Sequence, residues 1–265
     1  MPQLRVNGTN LFYEDVGAGR PLLFLHGWAG SGRVWDAQLP DFAADHRVVM
    51  LDWRGCGRFD HPAHGNDAET ILDDLGEVIR GLELDRPVVI GSSIGGTFAT
   101  ELALRDPGLI SGAISVDGPA FWPSTGMDVE SVVTGLRTSR AATVAGWVPD
   151  WYVPGAPPAL IDWTVGQILA SGVHVDALFE WIVAYDPRPR LPQVRIPLHY
   201  LHGECDAQIP GAVAETCAAL TPGATLTYVP DAGHMPHLER PVAFNSALRS
   251  VLDRIPVLQP AGGEL

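Results

Sequence analysis

The sequence predicts an α/β fold in which helices cover both faces of a mostly parallel sheet and a helical cap is inserted. Short apolar runs alternate with helical patterns along most of the chain, as parallel sheets with crossover helices require. The alternation breaks once, over residues 119–192, where prolines separate candidate helices and no buried strand is evident. We therefore expect a core of residues 1–118 and 193–265 and a cap of residues 119–192. A chain of 265 residues can bury a sizeable core.

The predicted strands begin with a hairpin, because two alternating runs flank Asn7-Gly8, which is a hairpin turn signal. The predicted strands are 4–6, 11–14, 21–25, 48–51, 88–90, 113–116, 198–201 and 225–229. Helical patterns cover 35–44, 68–82, 96–105, 213–220 and 242–252 in the core, and 129–140, 159–171 and 176–185 in the cap. Ligands bind at the carboxyl ends of the strands in open α/β sheets, so we expect the cap to lie over that edge.

Composition narrows the classes of function. The net charge of −14 argues against nucleic acid or an anionic membrane as a partner and favours neutral or weakly charged small substrates. The three cysteines have no C-x-x-C spacing, which predicts neither a disulfide scaffold nor a zinc site. No metal or organic cofactor is implied. The chain enters a hairpin directly and has no signal-peptide pattern or spanning run, so we expect a cytoplasmic protein. The sequence does not indicate an oligomeric state.

Residues 91–95 read G-S-S-I-G and carry the strongest functional signal. An apolar, β-branched run precedes them and a helical pattern follows, so Ser93 is predicted at a sharp strand-to-helix turn with its hydroxyl exposed. The helix N-terminus would offer backbone N–H groups and a positive dipole to a developing oxyanion. Ser93 is therefore the candidate nucleophile.

A serine nucleophile needs a base, and His234 is the best candidate among nine histidines. It lies on the loop between the last predicted strand and the last helix, from which a side chain can reach the carboxyl ends of the strands. The others are placed less well, and His237 is expected to pack against the last helix. They are His26, His46, His61, His64, His174, His199, His202 and His237.

Two aspartates are candidates for the acid that orients the base. Asp206 follows the strand before the last one, which gives the chain order nucleophile, acid, histidine. Asp117 ends an earlier strand and would also point toward the site, either as the acid or as part of the pocket floor. Asp206 is preferred on chain order, but Asp117 stays open.

An oxyanion hole requires two backbone donors. We expect one from the N–H of Ile94, which follows the nucleophile, and one from Trp28 in the turn after the third predicted strand. The cap contains most of the tryptophans in the chain. The candidates to line a substrate pocket are Trp122, Trp147, Trp151 and Trp181, together with Asp117.

Taken in order, these motifs resemble the α/β-hydrolase superfamily over nearly the whole chain. The matching segments are H-G-W at 26–28, D-W-R-G-C-G at 52–57, G-S-S-I-G at 91–95, the acid loop at 203–206 and A-G-H at 232–234, with E-R-P at 239–241. Phe59 departs from the pattern, because many relatives have serine there. The resemblance implies an α/β-hydrolase fold in which an acyl-enzyme forms on Ser93.

The resemblance favours a bacterial type of carboxylic ester hydrolase acting on small esters or lactones, including acyl-homoserine lactones. Relatives on the same fold hydrolyse carbon–carbon bonds, act as perhydrolases or carry out cofactor-free dioxygenation, and these activities are the alternatives. A serine at position 93 argues against dehalogenase or epoxide hydrolase chemistry, which uses aspartate there. A non-catalytic ligand receptor is disfavoured because Ser93, Asp206 and His234 are all present.

Overall fold

The structure is a computed structural model that describes residues 2–58, 60–121 and 128–257. Its strands are β1 (Gln3–Val6), β2 (Thr9–Gly17), β3 (Arg20–Leu25), β4 (His46–Asp52), β5 (Val88–Ser92), β6 (Gly112–Val116), β7 (Leu198–Gly203) and β8 (Leu226–Val229). They form one sheet in the order β1-β2-β4-β3-β5-β6-β7-β8. The pairs β1–β2 and β2–β4 are antiparallel, and the remaining pairs are parallel.

The α-helices of the described residues are α1 (Leu39–Phe42), α2 (Ala68–Gly81), α3 (Ile94–Arg105), α4 (Val129–Trp147), α5 (Pro158–Ala170), α6 (Leu178–Ala184), α7 (Gly211–Leu220), α8 (Pro236–Glu239) and α9 (Pro241–Leu252). Short 3₁₀ turns occur at Gly32–Trp35, Val148–Trp151, Val173–Ala177 and Leu191–Gln193. The predicted fold class, a mostly parallel sheet with helices packed on it, is confirmed.

The central strands β5, β6 and β7 are buried at every residue. This burial explains why their sequences are continuous apolar runs rather than alternating ones, since a parallel sheet is covered on both faces. Helix α3 packs on both β5 and β6. The helix that follows Ser93 is therefore held directly against the centre of the sheet.

Between β6 and β7 the described residues form helices α4, α5 and α6 with their 3₁₀ turns, and they contain no strand. We call this helical segment the cap. Trp122 lies outside the described residues, as does Phe59.

Three predicted helices differ in detail from the structure. The expected helix over 35–44 is a 3₁₀ turn followed by the single-turn α1, because Pro40 lacks the N–H that would continue a helix through it. Helix α4 runs beyond residue 140 to Trp147, with a kink where Ser139 leaves helical geometry at φ −156° and ψ 71°. The predicted helix over 176–185 begins as a 3₁₀ turn and becomes α-helical only at Leu178.

A buried carboxylate joins the cap to helix α3. Glu101 on α3 is buried and accepts hydrogen bonds from Tyr185 Oη at 2.7 Å and from two nitrogens of Arg190 at 2.5 and 3.0 Å. Arg105 donates a further bond at 2.8 Å. Burial alone would raise the pKa of Glu101, but these donors outweigh it and lower that pKa. The last residues of the cap are therefore fixed to α3.

No single described helix is long and apolar enough to cross a membrane. Two helical segments of the cap reach that length and apolar composition only when they are counted together. They are Pro158–Ala170 and Val173–Ala184, and the chain bends by 96° between them.

His237 packs inside the core beside the last helix. Its ring stacks on Trp35 at 4.3 Å between centroids and meets Phe244 of α9 edge-on at 5.8 Å. Neither ring nitrogen has a hydrogen-bond partner among the described residues. Burial, with a smaller contribution from the charge of His234, lowers the pKa of His237 to about 3.

His237 should make the folded state sensitive to acid. In the unfolded chain this histidine binds a proton below a pKa of about 6.5, whereas in the folded chain its pKa is about 3. The free energy of unfolding therefore falls by up to about 1.4 kcal/mol for each unit by which the pH is lowered below about 6.5. We expect His237→Phe to remove this contribution. The variant should gain about 2 kcal/mol over wild type between pH 7 and pH 5. Urea unfolding across this range tests it, and parallel pH profiles for the two proteins would contradict it.

Candidate active site

Ser93 occupies the turn between β5 and α3 in a strained backbone conformation. Its φ of 52° and ψ of −126° are unfavourable for a residue with a side chain. The turn is possible because Gly91 and Gly95 are in van der Waals contact, and a Cβ on Gly91 would lie 2.0 Å from the carbonyl oxygen of Gly95. The Ser93 N–H donates to the carbonyl of Val116, at the end of β6, at 2.8 Å.

The turn after β3 approaches Ser93 from the neighbouring strand. A Cβ on Gly27 would lie 3.1 Å from the Ser93 Cβ and 3.8 Å from its Oγ, so a side chain at position 27 would press on Ser93. The N–H groups of Trp28 and Ile94 donate to no described group. Ile94 is the first residue of α3, where helical N–H groups lack internal partners. Trp28, Ile94 and Ser93 line the same cavity, so both N–H groups remain candidate oxyanion donors.

His234 lies on the loop after β8 and bonds to Ser93. Its Nε2 is 3.1 Å from Ser93 Oγ, and its Nδ1 is 2.8 Å from Asp206 Oδ2. The His234 backbone N–H donates to the carbonyl of Trp151 in the cap at 2.7 Å. The Trp151 ring also meets the imidazole edge-on at 5.9 Å. His234 is therefore oriented by a carboxylate on one side and by the cap on the other.

Asp206 is held in place by its own loop. Its side chain is fully buried, and Oδ1 accepts the N–H groups of Gln208 at 2.7 Å and Ile209 at 3.1 Å. The other oxygen, Oδ2, is therefore available to bond His234. Burial favours the neutral acid, but attraction to His234, the hydrogen bond between them and the neighbouring His202 lower the pKa of Asp206. The carboxylate is therefore charged where it can stabilise an imidazolium.

Asp117 lies behind Asp206 and makes no hydrogen bond to His234. Its Oδ1 accepts the N–H of Gly203 at 2.7 Å. Complete burial and the negative charge of Asp206 raise the pKa of Asp117 well above its usual range. Of the two candidate acids, Asp206 bonds His234, whereas burial next to Asp206 favours the neutral form of Asp117. Asp117 does not line the cavity, contrary to its expected place in the pocket floor.

Asp117, His202 and Asp206 place potential metal-ligand atoms within 4.8 Å of one another. Two of the three are engaged elsewhere, because His202 Nε2 bonds the carbonyl of Ile209 at 2.9 Å and Asp206 Oδ2 bonds His234. Asp117 Oδ2 has no hydrogen-bond partner among the described residues. A cation held by all three would compete with the bond that orients His234. These three residues therefore fit a buried polar group that supports the Asp206–His234 pair better than they fit a metal centre.

An apolar cavity of about 70 Å³ opens onto Ser93 and His234. Trp28 and Phe179 form part of its wall and meet edge-on at 5.1 Å between centroids. None of its described lining residues carries a formal charge, His234 being counted as neutral. The aromatic and aliphatic side chains of the wall are Trp28, Val34, Ile94, Trp147, Trp151, Trp163, Ile168, Leu178, Phe179, Ile182, Ile209 and Met235.

The tryptophans predicted to line the pocket divide into three groups. Trp147 and Trp151 line the cavity. Trp181 does not, because its ring packs between Phe98 and Tyr185 at 5.9 and 4.8 Å. Trp122 lies outside the described residues. Trp163 lines the cavity but was not predicted, since the nearly all-apolar α5 gives no clear indication of which face is buried.

Two further residues, not predicted to act at the site, connect the candidate catalytic loops to the cap. Glu239 Oε1 accepts the N–H groups of Gly233 and Met235 on either side of His234 at 2.9 and 3.2 Å. Its Oε2 accepts Val153 N–H from the cap at 2.8 Å. The sequence could have indicated this role for Glu239 only through its place in the E-R-P segment at 239–241.

Gln208 makes the second connection. Its Oε1 accepts the indole N–H of Trp147 at 2.7 Å, and its Nε2 donates to the carbonyl of Asp150 at 3.0 Å. Through Gln208, whose N–H also bonds Asp206, the loop that carries Asp206 is joined to the cap at two points. Both loops of the candidate site therefore depend on the position of residues 147–153.

Comparison with known proteins agrees with this arrangement. Residues 22–247 match the model of the Alpha/beta hydrolase family. The Pimeloyl-[acyl-carrier protein] methyl ester esterase of Edwardsiella ictaluri is 30% identical over 257 residues, covering 92% of this chain and 97% of that protein. The Non-heme chloroperoxidase of Streptomyces lividans is 33% identical over 248 residues, covering 83% of this chain and 87% of that protein.

Among solved structures, an esterase from Exiguobacterium antarcticum superposes with a TM-score of 0.88 at 25% identity, covering 95% of this chain and 98% of that chain. The similarity thus extends over the sheet, the cap and both candidate catalytic loops.

Glu239→Gln tests the connection between the His234 loop and the cap. The amide would place an N–H₂ group against backbone donors that the carboxylate now satisfies. We expect a loss of about 1–3 kcal/mol in the free energy of unfolding and faster hydrogen exchange at the Gly233 and Met235 amides. Urea unfolding and NMR exchange measure the two effects. Glu204→Gln, at an exposed position, is the matched control, and equal exchange in both variants would contradict this role for Glu239.

Proposed function

The chain belongs to the alpha/beta hydrolase family, and on that premise we propose that it hydrolyses carboxylic esters, either open-chain or lactone, through an acyl-enzyme on Ser93. The observation that carries the proposal is the continuous hydrogen-bonded path from Ser93 Oγ through His234 to Asp206. A path of this kind lets the base take the serine proton while the buried carboxylate stabilises the charge that forms on the imidazole. The esterase relatives agree with this choice of reaction.

The mechanism follows from the geometry. His234 Nε2 removes the Ser93 proton as Oγ attacks the carbonyl carbon. The N–H groups of Trp28 and Ile94 stabilise the negative oxygen of the tetrahedral intermediate, assisted by the positive end of α3. His234 then gives the proton to the departing alcohol oxygen, which leaves an ester on Ser93. Water, deprotonated by the same nitrogen, cleaves that ester and releases the acid.

The cavity sets the expected character of the acyl group. Its volume of about 70 Å³ favours short acyl groups over long ones. Its wall offers aromatic and aliphatic contacts and no formal charge. We therefore expect short, uncharged acyl groups to be preferred.

A second candidate function is the formation of peracids on the same acyl-enzyme. It is favoured by the 33% identical relative named as a non-heme chloroperoxidase. Attack of hydrogen peroxide instead of water on the ester of Ser93 would release a peroxycarboxylic acid. This reaction needs no residue beyond those of the hydrolase mechanism, so both activities would depend on Ser93.

Ser93→Ala should abolish ester hydrolysis. Loss of the nucleophile is expected to lower kcat by about 10⁵–10⁶-fold, because base and acid cannot act without it. Acid release in a pH-stat would be followed for p-nitrophenyl esters of increasing chain length and for acyl-homoserine lactones. The ratio between the two sets distinguishes esterase from lactonase, and peracid formation with added peroxide tests the second candidate. Absence of any Ser93-dependent acid release would refute the proposed hydrolase.

Asp206→Asn and Asp117→Asn test which carboxyl group serves as the acid. Asp206→Asn should lower kcat by about 10³–10⁴-fold, because it removes the charge that fixes the tautomer of His234. Asp117→Asn should keep most of the activity, since a carboxyl group that is already neutral is replaced by a neutral amide. Steady-state kinetics on one p-nitrophenyl ester are sufficient. The reverse pattern would assign the acid to Asp117 and favour the cofactor-free dioxygenase branch.

A further inference from the structure

The polar side chains of the cavity wall differ in whether their hydrogen-bonding groups are already used. Apart from Ser93, His234 and the indole N–H groups of the tryptophans, they are Thr164, Gln167 and Gln208. The indole N–H of Trp151 also has no hydrogen-bond partner among the described residues, but it is buried from solvent. Thr164 Oγ1 is paired with the hydroxyl of Tyr152 at 2.5 Å. Both ends of the Gln208 amide are occupied within the protein. Gln167 is the exception among these three side-chain groups, and it lies on α5 about one turn after Thr164.

The Gln167 amide is held at one end only. Its Oε1 accepts the hydroxyl of Ser31 at 2.6 Å, and Ser31 is buried at the start of the 3₁₀ turn after β3. Its Nε2 has no hydrogen-bond partner among the described residues and is not sealed from solvent. The bond to Ser31 therefore fixes the orientation of the amide and leaves an N–H₂ donor available at the wall of the cavity.

We propose that Gln167 selects acyl groups that carry an oxygen acceptor, such as a ketone or ether oxygen, in place of a plain hydrocarbon chain. This inference rests on the proposed function, in which the acyl group occupies the cavity next to Ser93. An unpaired donor in an apolar cavity loses its water when a hydrocarbon enters, whereas an oxygen atom in the chain replaces that water. The substrate class is thus a short, uncharged acyl chain with one internal oxygen.

Binding to Ser93→Ala tests the inference separately from hydrolysis, because this variant keeps the cavity but lacks the nucleophile. The probes are phenyl pentanoate, phenyl 3-methoxypropanoate, in which an ether oxygen replaces one methylene, and phenyl 4-oxopentanoate. Tryptophan fluorescence gives each Kd, since Trp28, Trp147 and Trp163 line the cavity. We expect at least one oxygen-bearing ester to bind about 2–10-fold more tightly than phenyl pentanoate.

Adding Gln167→Leu should reduce this ratio of affinities to one or below. Adding Ser31→Ala, which keeps the amide but removes its anchor, should give an intermediate ratio. A ratio unchanged by Gln167→Leu, or tighter binding of phenyl pentanoate than of both oxygen-bearing esters, would overturn the inference. Hydrolysis of the same esters by the chain with Ser93 intact tests the proposed function independently. If the ratio of affinities depends on Gln167 but no ester is hydrolysed in a Ser93-dependent way, the proposed hydrolase is refuted and the proposed binding site is retained.

Discussion

Ser93 adopts φ 52° and ψ −126° between a buried strand and a buried helix. Backbone strain of this kind costs on the order of 1–3 kcal/mol, and it persists only where the surrounding structure prevents the backbone from adopting another conformation. Here β5 and α3 are both packed into the core, and Gly91 contacts the carbonyl of Gly95 with no room for a side chain. The same turn directs the hydroxyl toward His234 and leaves the first N–H of α3 free. The proposed nucleophile and one proposed oxyanion donor thus follow from one backbone constraint.

The charge distribution behind His234 depends on two carboxyl groups at neighbouring strand ends. Two negative charges in so small and dry a volume would repel strongly, so the pair divides into one neutral and one ionised group. Asp206 carries the charge because backbone N–H groups and His234 stabilise it there. Asp117 is deeper and has one backbone donor for Oδ1. The carboxylate next to the imidazole is therefore the one that the proposed proton transfer requires.

The sheet and the loops of the site could be predicted from the sequence because each depends on local signals. Buried parallel strands are continuous apolar runs, and Ser93, Asp206 and His234 follow the ends of such runs. The cap was less predictable. Helix α5 is apolar around most of its circumference, so the sequence does not indicate whether Trp163 faces the cavity or the solvent. Trp181 was expected in the pocket, but it packs between Phe98 and Tyr185, a tertiary contact without a local signal.

The contacts between cap and core also imply that substrate selection and proton transfer are physically coupled in the proposed reaction. The carbonyl of Trp151 accepts the backbone N–H of His234, while its indole forms part of the wall that an acyl group would touch. Trp147 likewise lines the cavity and donates to Gln208, the residue whose N–H bonds Asp206. A displacement of residues 147–153 by a poorly fitting chain would therefore disturb base and acid together. Hydrogen bonds weaken steeply when they are misaligned. We therefore expect a poorly fitting substrate to lower kcat as well as to raise KM.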